Sequence, residues 1–275
     1  IDGLGNIKLV LYNYNSDKSY ITNPCDSVYD GGSSAFARYS GDLYQTAFNT
    51  NSSGNAFVGL MYGTALSNTY ALEHANTTKN TILTKLETWY KNNLGENADA
   101  DYTNYLADVI WCNDKSFASN NSGTGTEKTF TKYGASSRLN TSLSAIPSLV
   151  CPNDANNGKL SKFTVSDTIN GNGDLDYKIG LLTADEIAFA GGVYNMANSA
   201  YYLNKNAIST SWWTLSPFDF NSSNAFVFIM DSTGHLKSGH VRNDYYSALR
   251  PAVSLKSTVT IASGGVGTKN NPYVV

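Results

Sequence analysis

The sequence is poor in charge. Only 15% of its 275 residues are Asp, Glu, Lys or Arg, and the formal net charge is -3. The basic residues are scattered along the chain. It therefore lacks the basic patch needed to neutralise nucleic-acid phosphates, and no nucleic-acid partner is expected. It also lacks an apolar run long enough to span a bilayer, so no membrane span is expected. There are three histidines and three cysteines, with no Cys-x-x-Cys and no His near a Cys in sequence. This discourages a zinc site. A Gly-x-Ser-x-Gly elbow is absent, which removes one hydrolase signature. The start, Ile1-Asp2-Gly3, is neither an initiator Met nor a signal peptide. We therefore expect a mature or trimmed product that has lost a targeting or anchoring segment.

What is present is apolar and neutral-polar material. Hydrophobic residues make up 41% and aromatics 12%, enough for a substantial core and against long disorder. Asn, Ser, Thr, Gly and Tyr dominate the rest, a vocabulary of hydrogen bonds and aromatic faces common at binding surfaces. For an exported chain, one disulfide and one free thiol is the expected use of Cys25, Cys112 and Cys151. The pair chosen is Cys112 with Cys151, both in polar segments, and its loop closure is worth about 4 kcal/mol in the chain-entropy account. Three buried reduced thiols are the alternative.

Periodicity and turn chemistry outline the elements. Residues 7–12 and 56–62 read as short strands. Ile82, Leu83, Leu86, Trp89, Tyr90 and Leu94 recur at helical spacing over 79–94, with Gly95 as a stop. A second helical piece is predicted over 105–110. Thr183-Ala184-Asp185-Glu186 is a capping box that opens another helix, preceded by a short strand at 178–182. The last third is β-rich, with strands at 212–216, 225–230, 235–242 and 249–255 and a turn at 231–234. Helices and hairpins without regular βαβ alternation indicate an α+β fold.

Few motifs carry chemistry. Cys25 or Cys112 with His74 would make a cysteine–histidine dyad, but no local pattern supports one. His235 and His240 sit at odd spacing on a strand and point to opposite faces, so they do not chelate one metal. Asn170, Asn172, Asp174 and Asp176 place oxygen ligands at alternate positions, a weak calcium candidate. The loop lacks the Gly and the closing Glu of such a site, having Leu175 and Leu181 there. The competing account is an Asn-Gly turn joining strands at 163–165 and 176–178. No cofactor is expected, and nothing picks out a catalytic set, so the chain is expected not to be an enzyme.

The informative stretch runs from Phe218 to Ser247. Its central strand has two apolar faces, with Phe226, Phe228 and Met230 on one. Around it stand Asp219, Asn221, Ser222, Ser223, Asn224, Asp231, His235, Ser238, His240, Asn243, Asp244, Tyr245, Tyr246 and Ser247. With Trp212 and Trp213, these are the candidate ligand-binding residues. The alternative is an ordinary polar hairpin edge.

Four motifs then carry a family likeness. They are Gly180-Leu181-Leu182-Thr183-Ala184-Asp185-Glu186-Ile187, Trp212-Trp213-Thr214-Leu215-Ser216-Pro217, Arg250-Pro251-Ala252-Val253-Ser254-Leu255-Lys256 and Gly267-Thr268-Lys269-Asn270-Asn271-Pro272-Tyr273-Val274-Val275. Together they resemble a C-terminal domain of exported proteins of gut Gram-positive bacteria, many with a pilin-like N-terminal helix. That domain is similar to the C-type lectin fold in its formylglycine-generating-enzyme branch, which includes the variable proteins of diversity-generating retroelements. The likeness implies one C-type lectin-like domain over 1–275, loosely matched over 1–165 and motif-bearing over 166–275. It implies terminal strands paired antiparallel, with 7–12 beside 251–255 or 259–261. It implies a bacterial cell-surface or pilus protein that binds a protein or glycan, and assembly through a missing N-terminal segment. It also implies that residues 219–247 are open to adenine-directed mutation, whose products from Asn codons fit the non-framework positions there, Lys237 being the main exception. The enzyme branch uses a C-terminal cysteine pair, and this chain has no Cys after Cys151, so that activity does not carry over. The other functions weighed are a structural pilin or fibre subunit, a phage receptor-binding protein and an enzyme acting on glycans or cell walls.

Overall fold

The computed structural model describes residues 5–12, 31–40, 42–98, 100–140, 145–242 and 247–260. Its helices are few and short: α1 (Tyr70–Glu73), α2 (Thr81–Asn93), α3 (Gly134–Leu139) and α4 (Ala184–Phe189). The strands are β1 (Lys8–Val10), β2 (Arg38–Tyr39), β3 (Asp42–Leu43), β4 (Met61–Tyr62), β5 (Thr78–Lys79), β6 (Trp111–Cys112), β7 (Thr131–Lys132) and β8 (Lys162–Phe163). They continue with β9 (Val193–Tyr194), β10 (Ser211–Phe220), β11 (Ala225–Met230), β12 (His235–His240), β13 (Ser247–Ala248) and β14 (Ala252–Ser254). The fold is α+β. Its main sheet runs β13-β10-β11-β12-β9, with β7 also on β10. No helix among the described residues is long and apolar enough to cross a membrane.

The two best-marked helices form for local reasons. Asn80 caps α2, its side chain accepting the Leu83 amide at 3.0 Å, and Ile82, Leu83, Leu86 and Tyr90 bury the apolar face. At α4, Thr183 accepts the Glu186 amide while Glu186 accepts that of Thr183, completing the capping box.

Elsewhere, side chains take the backbone groups that the predicted elements would have used. The strand expected at 56–62 begins instead as a 3-10 turn, Asn55–Val58. The buried Glu73 carboxylate accepts the Ala56 amide, and the Asn55 amide donates to carbonyls of Thr126 and Thr129. The helix expected at 105–110 is not formed. Leu106 bridges Leu255, and the Asp108 carboxylate collects the amides of Val165, Ser166 and Asp167. The predicted 163–165 and 176–178 hairpin is replaced by pairing of β8 with β6. The strand expected at 178–182 is reduced to one bridge, Gly180 to Ala252. Gly180 is required there, because a Cβ would fall 2.3 Å from the Trp111 ring. Cys112 and Cys151 are joined in a disulfide with Cα atoms 5.5 Å apart, which removes Cys112 from any dyad with His74. Cys25 lies outside the described residues.

The two ends of the described chain meet. β1 and β14 are antiparallel, with Leu9 opposite Val253. Beside this pair, Arg250 is 1% exposed. Its Nε donates to the Leu11 carbonyl at 2.9 Å, its Nη1 donates to the Leu203 carbonyl, and its guanidinium lies 4.7 Å from the Trp212 ring centre. Burial pulls its pKa down to about 10. A single hydrophobic cluster joins residues from Ala35 to Ala252.

Loss of this guanidinium strands two carbonyls and opens space beneath an indole. Arg250→Ala is expected to cost about 3–5 kcal/mol in urea unfolding. Arg250→Lys is expected to recover only part, because an ammonium cannot reproduce the planar fork.

Candidate functional site

The site is built on the outer face of the main sheet. Between the pairs Pro217–Val227 and Asp219–Phe226 the register advances two residues on β10 for one on β11. This is a β-bulge, placed where Pro217 has no amide to give, and bulges re-aim side chains. Phe218 lands edge-on to Phe228, with ring centres 5.0 Å apart at 80°. Parallel pairing of β9 with β12 brings in Tyr194, which stacks on Phe218 at 5.9 Å and 8°. Across β11 and β12, Phe226 faces His240, their rings T-shaped at 5.4 Å, and Phe228 faces Ser238.

Tyr194, Phe218, Phe226, Ser238 and His240 are all half-buried, with Phe228 fully buried beneath. The aromatic row therefore has a supported underside and an accessible edge. Polar groups border it. Asp219 sits opposite Lys132 of β7. Burial raises its pKa to about 6, against the pull of Lys132. Burial, then the charge of Arg242, lowers that of His240. Burial also raises the Tyr194 phenol, against hydrogen bonds with Ser238 and Asn195. Beside Phe218 opens a cavity of about 170 Å³ lined by Ser119, Asn120, Lys132, Ser137 and Asn140. The arrangement suits stacking and hydrogen bonding, with the Asp219–Lys132 pair as its charged border.

The candidate residues from sequence divide into groups. Asp219, Phe226, Ser238 and His240 come together on this face. Asn221, Ser222 and Ser223 are exposed on the adjoining turn, where the Asn221 side chain accepts the amides of Ser223 and Asn224. Asn224 is half-buried and accepts from the Ser52 hydroxyl. Asp231 and His235 lie at the opposite hairpin, roughly 17 Å away along β12. There the Asp231 carboxylate binds the Thr233 amide, the Lys237 ammonium at 2.6 Å and the His235 ring at 3.1 Å. Burial opposes its ionisation, but these bonds hold it well below the usual carboxylate range.

Four of the candidates are turned inward. Trp212, Trp213, Phe228 and Ser247 are buried and offer no surface to a ligand. Trp212 carries Arg250, and Trp213 donates to the Thr46 carbonyl at 2.7 Å. Asn243, Asp244, Tyr245 and Tyr246 lie outside the described residues. Tyr194 and Lys132 join the face from outside the 218–247 stretch, and Phe218 joins it from the first position of that stretch. They arrive through a parallel pairing, a bulge and a two-residue strand, none of which has a local signature.

Each side chain of the weak calcium candidate has another partner. Asn170 is bound to Asp167, Asn172 accepts the Asp174 amide, Asp174 accepts from Asn76, and Asp176 pairs with Lys79. Among the described residues no group of three or more His, Cys, Asp or Glu side chains is placed to hold a metal. A second cavity, about 110 Å³, has Lys8, Asp114, Arg138, Asp185 and Glu186 in its wall. Arg138 bridges Asp114 and Asp185, and Lys8 pairs with Glu186. The Asp185 carboxylate also accepts the Ser148 amide, so these charges bind α3, α4 and β1 together.

Comparison with family models, curated proteins and solved structures finds no match.

The Asp219 carboxyl holds its proton more tightly in the folded chain than in the unfolded one. The linked stability is full below the ordinary value of 3.8 and is lost as pH rises through about 6. Asp219→Asn is expected to flatten that dependence. Discounted for partial exposure, the gain at pH 7 is about 1 kcal/mol, measured by urea unfolding between about pH 4 and pH 8.

Proposed function

We propose that this is a ligand-binding protein displayed on a bacterial cell surface or pilus, with a C-type lectin-like fold of the formylglycine-generating-enzyme branch. Its ligand, a protein or a glycan, lies across Tyr194, Phe218, Phe226 and His240 and hydrogen-bonds with Asp219, Ser238 and the 221–224 turn. The observation that carries this reading is the row of half-buried rings on a bulged sheet, bordered by Asn and Ser side chains and by the Asp219–Lys132 pair. Aromatic side chains there give contact area at low entropic cost, and Asn and Ser give adaptable hydrogen bonds. The antiparallel meeting of β1 and β14 supports the fold assignment.

A structural pilin or fibre subunit has no need for accessible rings at this face. A phage receptor-binding protein would use the same face on a different particle. An enzyme acting on glycans or cell walls needs a free acid and base. The carboxylates at the charged cavity are already engaged with Arg138, Lys8 and backbone amides. On this reading the chain is not an enzyme and needs no cofactor.

Glycan and protein arrays probed with the wild type and a Phe226→Ala, His240→Ala double variant test the site. At least a tenfold loss of signal on the bound ligand is expected, about 1.4 kcal/mol, with folding checked by circular dichroism. Identical profiles would remove the assignment. The retroelement origin predicts a reverse transcriptase and a template repeat of the 219–247 segment next to the coding locus, and sequencing that finds neither sinks it.

A further inference from the structure

Lys115 ends in the interior with 0% exposure. Its Nζ donates to the Leu160 carbonyl at 2.9 Å and lies 3.4 Å from both the Met61 carbonyl and Asn76 Oδ1. The Phe163 ring is 5.4 Å away. These close partners are carbonyl oxygens and an aromatic ring, so a full positive charge is poorly compensated there. Burial lowers the pKa of this amine to about 7, against the more distant charges of Asp154 and Asp174. Much of it is therefore the neutral, nucleophilic form near neutral pH. The room for it comes from Gly59, where a Cβ would stand 2.9 Å from Lys115 Cε.

Asn76 presents its carbonyl oxygen to this amine. Its Nδ2 donates to Asp174 Oδ2 at 2.8 Å. A buried amine, a carboxamide and a carboxylate thus stand in sequence, held by three separate segments of the fold. Such fixed proximity replaces an encounter in solution, and a carboxylate touching the carboxamide nitrogen can move protons there. Asp154 is otherwise occupied, accepting the amides of Asn156, Gly158 and Leu160.

We propose that Lys115 and Asn76 are joined by an intramolecular amide bond, formed with Asp174 as the proton carrier. Neutral Lys115 Nζ attacks Asn76 Cγ. Asp174 takes one proton from Nζ and delivers it to Nδ2, the Cγ–Nδ2 bond breaks, and ammonia leaves. One C–N bond forms and one breaks, with no change in oxidation state and no added reagent. The product keeps one N–H on Nζ for the Leu160 carbonyl, and the buried charge disappears. It staples the segment ahead of β5 to the segment after β6, a separation of 39 residues.

Intact-mass spectrometry of the reduced, denatured 275-residue chain tests this. The expected mass is about 17 Da below that of the sequence, the loss of one ammonia. A tryptic digest is expected to give a branched peptide joining Asn76 to Lys115, uncleaved after Lys115. Asn76→Ala and Lys115→Met are each expected to restore the full mass of their sequences. Asp174→Asn, which keeps both partners and the side-chain size, is expected to do the same. A wild-type chain at full sequence mass overturns the proposal. So does an ammonia loss that tandem spectra place elsewhere, as in a succinimide at an Asn-Gly pair. Persistence of the loss in Asp174→Asn overturns the role of Asp174.

Discussion

Arg250 lies beneath the indole of Trp212, its guanidinium turned to the main-chain carbonyls of Leu11 and Leu203. Among the described residues no side-chain carboxylate shares these contacts. A charge in such a place is tolerable only if dipoles and an aromatic face replace water. Meeting that need draws the N-terminal strand, the turn at Tyr202–Asn204 and β10 to one point. The β1–β14 pairing, and the burial of Trp212 itself, follow from it. Arg250 is thus a tie between the segments that carry β1 and β14.

From this anchored end, β10 runs out to the site. Its first half is buried, and its second half is re-aimed by the bulge at Pro217. Thr214 supports the turn in register by donating to the Phe228 carbonyl at 2.8 Å, and Asn113 takes up the Leu215 carbonyl at 2.8 Å. Backbone groups freed by the irregularity are thereby satisfied. A second irregularity, between Pro217 and Asp219, brings out the edge of Phe218 and sets Asp219 against Lys132. Rigidity at the inner half and a changed side-chain direction at the outer half are one device.

The scarcity of regular structure has the same origin. Asn55, Glu73, Asp108 and Asn113 are side chains that bind backbone amides or carbonyls of residues well separated in sequence. Each replaces part of a ladder that a strand or helix would have supplied. A chain rich in Asn, Asp, Ser and Thr can fold with two-residue strands because its side chains complete the hydrogen bonding. The polarity without charge noted in the sequence is therefore structural as well as superficial.

Elements with complete local instructions were legible in the sequence. The Asn80-capped helix, the Thr183 capping box and the hairpin of β11 and β12 each carry their cap, period or turn within a few residues. Residues 56–62 and 105–110 depart from their sequence patterns because their backbone groups are taken by the Glu73 carboxylate and by Leu255, which lie outside those segments. Residue type and strand alternation select Asp219, Phe226, Ser238 and His240, and the sheet register brings these four to one face. The inward direction of Trp212, Trp213 and Phe228 has no mark in the sequence, nor has the arrival of Tyr194 beside Phe218. By itself the sequence determined the local elements, the α+β class and the stretch of β-strand on which the site stands. Only the tertiary structure decided which faces of those strands are covered. Coverage depends on bulges, parallel pairings and buried polar contacts between distant residues, and none of these leaves a periodic trace in the sequence.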